Sequence, residues 1–154
     1  MGIRADFPNT WSVRYWGNRE DKSSIQSTHQ SSFEELPAEE APEKVLVTAR
    51  HKTGSATLGS VFEIVALYRP NGVDLESEIP IDSTEISRNF GSHEVAGNCA
   101  RYMHIEKQSE SYIRYIRCYY WKFQPKIWLA CIASGSSKEQ FNEAMCIIEV
   151  MQKT

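Results

Sequence analysis

The fold is decided by residues 99–133, which read CARYMHIEKQSESYIRYIRCYYWKFQPKIWLACIA. Residues 99–105 alternate apolar and polar side chains, a β-rich run covers 112–123, and residues 126–133 resume a strand pattern. A polar turn at 107–111 and the pair Gln124-Pro125 separate these three segments. Alternation of this kind is typical of strands with one buried face, so we expect three strands in an antiparallel meander.

The segment after the meander predicts a helix. Ser136 and Glu139 have the spacing of a capping box, and the helix is expected to run to about Gln152. Apolar side chains recur there at intervals of three and four residues: Phe141, Ala144, Met145, Ile148 and Met151. Ile147 and Val150 widen this face, which suits a helix that lies across a sheet.

Further strands are expected before residue 70. Residues 11–16 alternate, and residues 44–51 and 60–69 predict a long hairpin that places Val45, Val47 and Ala49 on one face.

The remaining segments lack a strand pattern. Residues 18–30 are polar and predict a loop, and 31–43 predict a short helix plus loop because two prolines limit helix length. Residues 73–94 show no regular period and predict a long surface connection, with a short helix around 84–89. The order of elements indicates one α+β domain over 1–154, with an antiparallel sheet, flanking helices and a C-terminal helix packed on the sheet.

Composition excludes several classes of protein. The 154 residues contain 17 Lys and Arg, 20 Asp and Glu, and 41% apolar residues, which is enough to fill a core. No apolar run is long enough to span a membrane, and the first residues lack the apolar stretch of a secretory signal. These features are typical of a cytosolic or an already processed protein, and we expect a cytoplasmic protein with no membrane partner.

Negative charge is concentrated in two segments. Residues 34–43 hold five glutamates and no cation, and residues 73–94 hold six carboxylates with Arg88 alone. Such segments are commonly solvated loops, and the functional alternative is a negative face that steers a basic protein toward it. Nucleic acid is a poor partner for these surfaces.

Residues 112–121 combine aromatic and basic side chains, with Arg114 and Arg117 on opposite faces of the predicted strand. Tyr, Trp and Arg are enriched in interface hot spots, although a sheet covered on both faces would use the same side chains internally. The candidate partner contacts are Glu34, Glu35, Glu39, Glu40, Asp74, Glu76, Glu78, Asp82, Arg117 and Tyr119.

The cysteines and histidines match no metal-ligand spacing, so we expect no metal and no cofactor. Each of the four cysteines has apolar neighbours and predicts a small buried side chain. A two-residue turn at 124–125 would place Cys118 opposite Cys131, which leaves a disulfide as the less favoured alternative. His104 and Glu106 share one face of a strand and could form a proton relay, but no nucleophile and base can be assembled, so we predict no enzyme.

Three stretches resemble the Mog1/PsbP-like superfamily. Residues 7–11, FPNTW, are similar to its opening Pro-x-x-Trp turn, and residues 95–100, VAGNCA, resemble its Gly-x-x-Ala step. Residues 126–137 and the terminal helix resemble its closing strand, Ser/Gly loop and helix. This resemblance implies a binding module: members include a small-GTPase cofactor, photosystem-associated subunits, effector chaperones and lipoproteins, and similar architectures serve as immunity partners of interbacterial toxins.

These observations lead to one hypothesis and two alternatives. The hypothesis is a bacterial immunity protein that neutralises a toxin by occluding it through carboxylates of 34–43 and 73–94. The first alternative is a secretion chaperone that holds a hydrophobic segment of an effector in an apolar groove. The second is an enzyme, which would require His104 and Glu106 to converge in a deep cleft.

Overall fold

Two antiparallel sheets and two helices form the described part of the chain, residues 2–15, 28–32, 37, 39–53 and 59–153 of a computed structural model. The elements are β1 (Gly2–Asp6), β2 (Trp11–Tyr15), β3 (Thr28–Ser32), β4 (Glu43–His51), β5 (Val61–Tyr68), α1 (Leu75–Glu78), β6 (Glu85–Val95), β7 (Asn98–Ser109), β8 (Tyr112–Gln124), β9 (Ile127–Gly135), α2 (Lys138–Glu149) and β10 (Gln152–Lys153). The large sheet has the order β2-β4-β5-β9-β8-β7-β6, and the small sheet has the order β10-β1-β3.

The predicted meander is confirmed as β7, β8 and β9, and β6 extends it by one strand. The expectation of a loop throughout 73–94 is therefore wrong over Glu85–Val95. This strand shows no alternation because it lies at the sheet edge and most of its side chains face solvent. The VAGNCA stretch forms its turn into β7, where Ala96 and Gly97 both have positive φ, at 50° and 76°.

The short helix of this region is α1, which precedes the predicted range of 84–89 in the chain. Asp74 caps it by accepting the backbone N–H of Glu76 at 3.3 Å and the Ser77 hydroxyl at 2.7 Å. Leu75 is buried and fixes the turn against the sheet. Asp74, one of the predicted partner contacts, is therefore the residue that caps α1.

The C-terminal helix packs on the sheet as predicted, with small corrections at its ends. Ser137, not Ser136, is the N-cap, because its side chain accepts the backbone N–H of Gln140. The helix ends at Glu149, and Gln152 pairs with β1 instead of continuing it. Val150 lies outside the helix and is 59% exposed, so it does not widen the apolar face.

The predicted hairpin is confirmed as β4 and β5, but its faces differ from the prediction. A register shift between Val45 and Val47 turns Val45 outward, whereas Leu46, Val47 and Ala49 are buried.

The N-terminal part differs more. β1 was not predicted, and β3 occupies part of the expected loop and helix. Residues 18–27, 33–36 and 38 of those expectations lie outside the described residues, and the described residues 37 and 39–43 form a turn at 39–40 and the start of β4 instead of a helix.

Apolar clusters cover both faces of the large sheet. The α2 face, which α2 covers, carries Phe7, Trp11, Phe62, Ile64, Tyr119, Trp121, Leu129, Phe141 and Ile148. The α1 face, on which α1 packs, carries Val65, Leu67, Val73, Leu75, Met103, Ile105, Cys118, Tyr120 and Ala130. Neither helix has the length and apolar character needed to cross a membrane, in so far as the chain is described.

Candidate functional site

Arg69 joins the two acidic segments that the sequence singled out. Its guanidinium donates to Glu78 of α1 at 2.7 and 3.1 Å and to Glu43 of β4 at 3.0 Å. It also donates to the backbone oxygens of Pro42 and Tyr68 at 3.2 and 3.0 Å. The hydrogen bond to Glu78 is the main cause that raises the pKa of Arg69, although partial burial opposes it. One half-buried cation thus fixes the start of β4 beside α1.

We call the carboxylates of these two segments the acidic surface: Glu39, Glu40, Glu43, Asp74, Glu76 and Glu78. Glu39, Glu40 and Glu76 are exposed, and their carboxylates make no hydrogen bond or ion pair with any described residue. Glu78 is largely covered, with a side chain 13% exposed, because Arg69 holds it. Among the described residues, three carboxylates of this surface therefore have no partner.

The remaining carboxylates predicted as partner contacts are Glu34, Glu35 and Asp82. Glu34 and Glu35 fall outside the described residues. Asp82 accepts Lys107 Nζ at 2.6 Å and the Thr84 hydroxyl, and these hydrogen bonds lower the pKa of Asp82 to about 2. Because Lys107 neutralises it locally, Asp82 adds little negative potential.

Arg88 anchors the connection that carries the acidic surface. It forms a two-bond ion pair with Glu85 at 2.5 and 2.8 Å, and both side chains are less than one-tenth exposed. Its Nη1 donates to the backbone oxygen of Ile79 at 2.7 Å, beyond the end of α1. The hydrogen bond to Glu85 raises the pKa of Arg88. The connection between α1 and β6 is therefore held to the sheet by charge-assisted bonds.

The aromatic and basic run of β8 is half-buried over 112–117 and buried over 118–121. Tyr119 is fully buried beneath α2, where its hydroxyl contacts the sulfur of Met145, so its prediction as a partner contact is wrong. Arg117 donates to His104 Nδ1 at 3.1 Å and to the Tyr119 hydroxyl at 3.3 Å, and its guanidinium lies 4.8 Å from the centre of the Tyr102 ring. Two of its three nitrogens thus donate to groups of this chain, which gives Arg117 a structural role.

His104 and Glu106 do converge on the α2 face. Because Arg117 donates to Nδ1 of His104, Nε2 carries the proton and donates to Glu106 at 3.2 Å. Burial, followed by the charge of Arg117, lowers the pKa of His104, and Glu106 opposes this shift. The imidazole is thus held neutral, and the Phe141 ring packs 5.7 Å from it. No proton relay extends beyond His104, because Arg117 donates to both His104 and the buried Tyr119 hydroxyl and a guanidinium cannot accept a proton.

A second polar cluster, which the sequence did not predict, lies under the opening turn. Trp11 is buried, and its indole N–H donates to Glu143 of α2 at 3.1 Å. Thr10 donates to the same carboxylate oxygen at 2.8 Å, and the imidazole of His51 lies 3.7 Å from the other. The Pro-x-x-Trp spacing that carries the resemblance therefore attaches β2 to the C-terminal helix.

The cysteines are free thiols in a register that differs from the prediction. Pro125 and Lys126 form the β8–β9 turn, which shifts the pairing by one residue and places Cys118 opposite Ile132. Cys118 and Cys131 therefore point to opposite faces, and burial raises the pKa of the Cys118 thiol to about 12. Cys99 and Cys146 are exposed, contrary to the expectation that all four are buried. Across the described ranges, no three His, Cys, Asp or Glu side chains are grouped to hold a metal ion.

Comparisons with known proteins give a fold and nothing more specific. No family model matches the chain, and no curated protein matches it. A crystal structure of LpqN, which is involved in cell envelope biogenesis of Mycobacterium tuberculosis, aligns with a TM-score of 0.58 and 11% sequence identity. The alignment covers 97% of this chain and 82% of LpqN. At this identity the likeness concerns the fold alone.

Proposed function

We propose that this protein is a non-catalytic binding module that docks a basic protein on its acidic surface. The observation that carries the proposal is the bridge from Arg69 to Glu43 and Glu78, which gives two separate acidic segments one fixed geometry. A surface that is ordered before binding loses less conformational freedom on association.

The charges support a role in steering. Arg69 directs its charge into the protein, while Glu39, Glu40 and Glu76 direct theirs into solvent. Uncompensated charge of one sign raises the rate of encounter with a partner of opposite sign and disfavours like-charged competitors. The surface is therefore suited to fast, selective capture of a cationic protein.

Among proteins that act in this way, we favour an immunity protein that neutralises a bacterial toxin by covering its active surface. The scaffold is proposed to be Mog1/PsbP-like, in keeping with the Trp11 and Gly97 turns and the closing helix. Neutralisation by occlusion needs a rigid surface and no chemistry, which fits a polar chain in which Arg117 links His104 to the buried Tyr119 hydroxyl.

The chaperone alternative receives less support. A depression of about 750 Å³ on the sheet is lined by Ser12, Arg14, Val45, Thr48, Arg50 and Glu63. Five of these six side chains are polar or charged, whereas a groove for a hydrophobic client needs an apolar lining.

The test begins with isolation of the partner from the native host by affinity capture on the wild-type protein. Association rates are then measured over a series of salt concentrations for the wild type and for the triple variant Glu39→Gln, Glu40→Gln, Glu76→Gln. We expect the triple variant to associate roughly tenfold more slowly at low salt and with a flatter salt dependence.

The matched control removes three exposed carboxylates from other elements: Glu110→Gln, Glu139→Gln and Glu149→Gln. Rates that are equal for both triple variants would show that net charge alone acts, and the proposed docking surface would be wrong. Immunity is tested separately by producing the partner in cells, where wild-type protein should relieve growth arrest and the acidic-surface variant should not. A partner that is harmless to cells would refute immunity and leave the docking surface standing.

A further inference from the structure

The strand β6 is an edge of the large sheet whose protective features, a register shift beside Ile86 and the covered Arg88–Glu85 ion pair, are confined to its first four residues. It runs for 11 residues and, within the described part of the chain, pairs on one side only, with β7. The opposite edge, β2, is only five residues long. Glu85–Val95 contains no proline and no lysine, the residues that commonly prevent edge pairing. Its outer row of backbone groups is therefore a template for another strand.

An exposed aromatic side chain marks the middle of this edge. Phe90 is the central residue of Glu85–Val95, and it is 48% exposed. It lies directly opposite Met103, which is fully buried in the cluster of the α1 face. The apolar cluster of that face thus extends to the sheet edge, where the side chain of Phe90 is partly exposed to solvent.

The other face of the same edge is covered by an aromatic ring. Tyr102 lies opposite Gly91, and a Cβ atom on Gly91 would stand 2.4 Å from the Tyr102 phenol. The ring therefore lies across the glycine, and no side chain of Gly91 obstructs approach from outside. Arg117 packs over the other side of this ring.

We propose that β6 pairs with β6 of a second copy of this chain, in antiparallel orientation about a two-fold axis at Phe90. In this register Phe90 faces Phe90 of the second copy, and Asn89 faces Gly91. Arg88 faces Ser92, and Ser87 faces His93. The pairing ends at the register shift beside Ile86, where the strand loses its regular geometry.

The chemistry of the strand favours a second copy over an unrelated extended segment. A two-fold axis makes a contact self-complementary, so an apolar residue at the centre meets itself. The charged residues within the pairing, Arg88 and Glu94, would face Ser92 and Ile86, and Glu85 lies beyond the register shift, so no like charges are opposed. The contact also uses no residue of the acidic surface, so it is independent of the proposed function.

The experiment measures mass by sedimentation equilibrium over a wide concentration range. The wild type is expected to form a dimer at high concentration. Phe90→Glu and Phe90→Lys should each weaken the dimer by roughly a hundredfold, because each places two like charges opposite each other. An equimolar mixture of the two variants should restore a dimer, since Glu then faces Lys.

The matched control is Ile81→Glu, which places a carboxylate at an apolar position that is 71% exposed but lies outside β6. It should leave the dimer unchanged. A wild type that stays monomeric throughout, or a mixture of the Phe90 variants that fails to associate, would overturn the proposal. A dimer that resists Phe90→Glu would place the contact elsewhere and overturn it equally.

Discussion

The two faces of the large sheet are closed by different physical means. The α2 face is covered by a 12-residue helix that buries Phe141, Met145 and Ile148 against the strands. The α1 face is covered by a helix of four residues and an aperiodic connection. There the apolar contacts are supplemented by two arginines, Arg69 and Arg88, each bound to a carboxylate and to backbone oxygens.

This difference shows how a segment without a periodic apolar pattern can be held in a fixed conformation. A helix with an apolar stripe is fixed by burial, whereas the connection from Val73 to Thr84 is fixed in its middle by charge-assisted hydrogen bonds to Glu78 and Ile79. The second arrangement leaves most of its side chains exposed. It can therefore present an acidic surface that is both solvated and rigid.

Substitutions that create a cavity should give the largest difference in the free energy of unfolding between the two faces. Ile148→Ala should lower the free energy of unfolding by about 4 kcal/mol, because the long helix cannot collapse into the cavity. Leu75→Ala on the α1 face should cost about 2 kcal/mol, since the short helix can adjust. Denaturant unfolding measures both, and equal losses would show that the two faces are closed in the same way.

Removal of Arg88 should have the next largest effect. Arg88→Met leaves the carboxylate of Glu85 covered and unpaired, and should cost about 2 kcal/mol, less than a deep ion pair because β6 borders solvent. Adding Glu85→Gln to this variant should recover part of the loss. Arg101→Met on β7, at an exposed position, serves as the control. A double variant no more stable than Arg88→Met would show that the charge of Glu85 is already solvated.

Removal of Arg69 should loosen the acidic surface with a small loss of stability. Arg69→Gln should cost about 1 kcal/mol, because the ion pairs that it loses are partly exposed. Amide hydrogen exchange at 75–79 should accelerate while exchange in α2 stays unchanged. Unchanged exchange at 75–79 would mean that apolar packing of Leu75 alone orders α1.

The pH dependence of stability should reveal the contribution of His104 on the α2 face. Its pKa is lowered in the folded state, so the unfolded chain binds a proton more readily below about 6.5 and stability falls as pH falls. His104→Gln should abolish this part of the pH dependence. The difference between wild type and variant, measured by denaturant unfolding from pH 7.5 to 5, isolates this histidine from the other three. A difference that does not change with pH would contradict the lowered pKa.

The smallest effect is expected at Asp82 on the α1 face. Its pKa of about 2 lies below the ordinary value of 3.8, so its contribution is present above pH 4 and is lost as pH falls toward 2. Asp82→Asn should remove this contribution and cause a small loss of stability at pH 7, because solvent screens the ion pair of an exposed carboxylate. Carbon-detected NMR titration of the side-chain carboxyl measures the pKa directly, and a midpoint near 4 would contradict the interpretation.

The elements that could be predicted from the sequence are those whose burial is periodic. The meander and α2 follow from alternation and from the stripe of Phe141, Met145 and Ile148. In contrast, β6 could not be predicted, because an edge strand with exposed side chains has no apolar period. The register of Cys118 and Cys131 depends on a turn in which Lys126 has a φ of 68°, and one residue of shift reverses the face of each side chain.

The candidate site was predicted only as two stretches of charge. Their connection depends on Arg69, which is 9 residues from Glu78 and 26 from Glu43 in the chain. Tyr119 looked like a hot spot because aromatic residues serve cores and interfaces equally, and only the position of α2 decides between them. Composition locates the charge, but tertiary structure decides which side chains are available.

The central claim is that the acidic surface, ordered by Arg69, is where a protein partner docks. Hydrogen exchange of the complex with the captured partner, compared with the free protein, tests it most directly. We predict slower exchange at 39–43 and 74–79 and no change in α2. Protection confined to α2 or to β6, with unchanged exchange at both acidic segments, would contradict the claim.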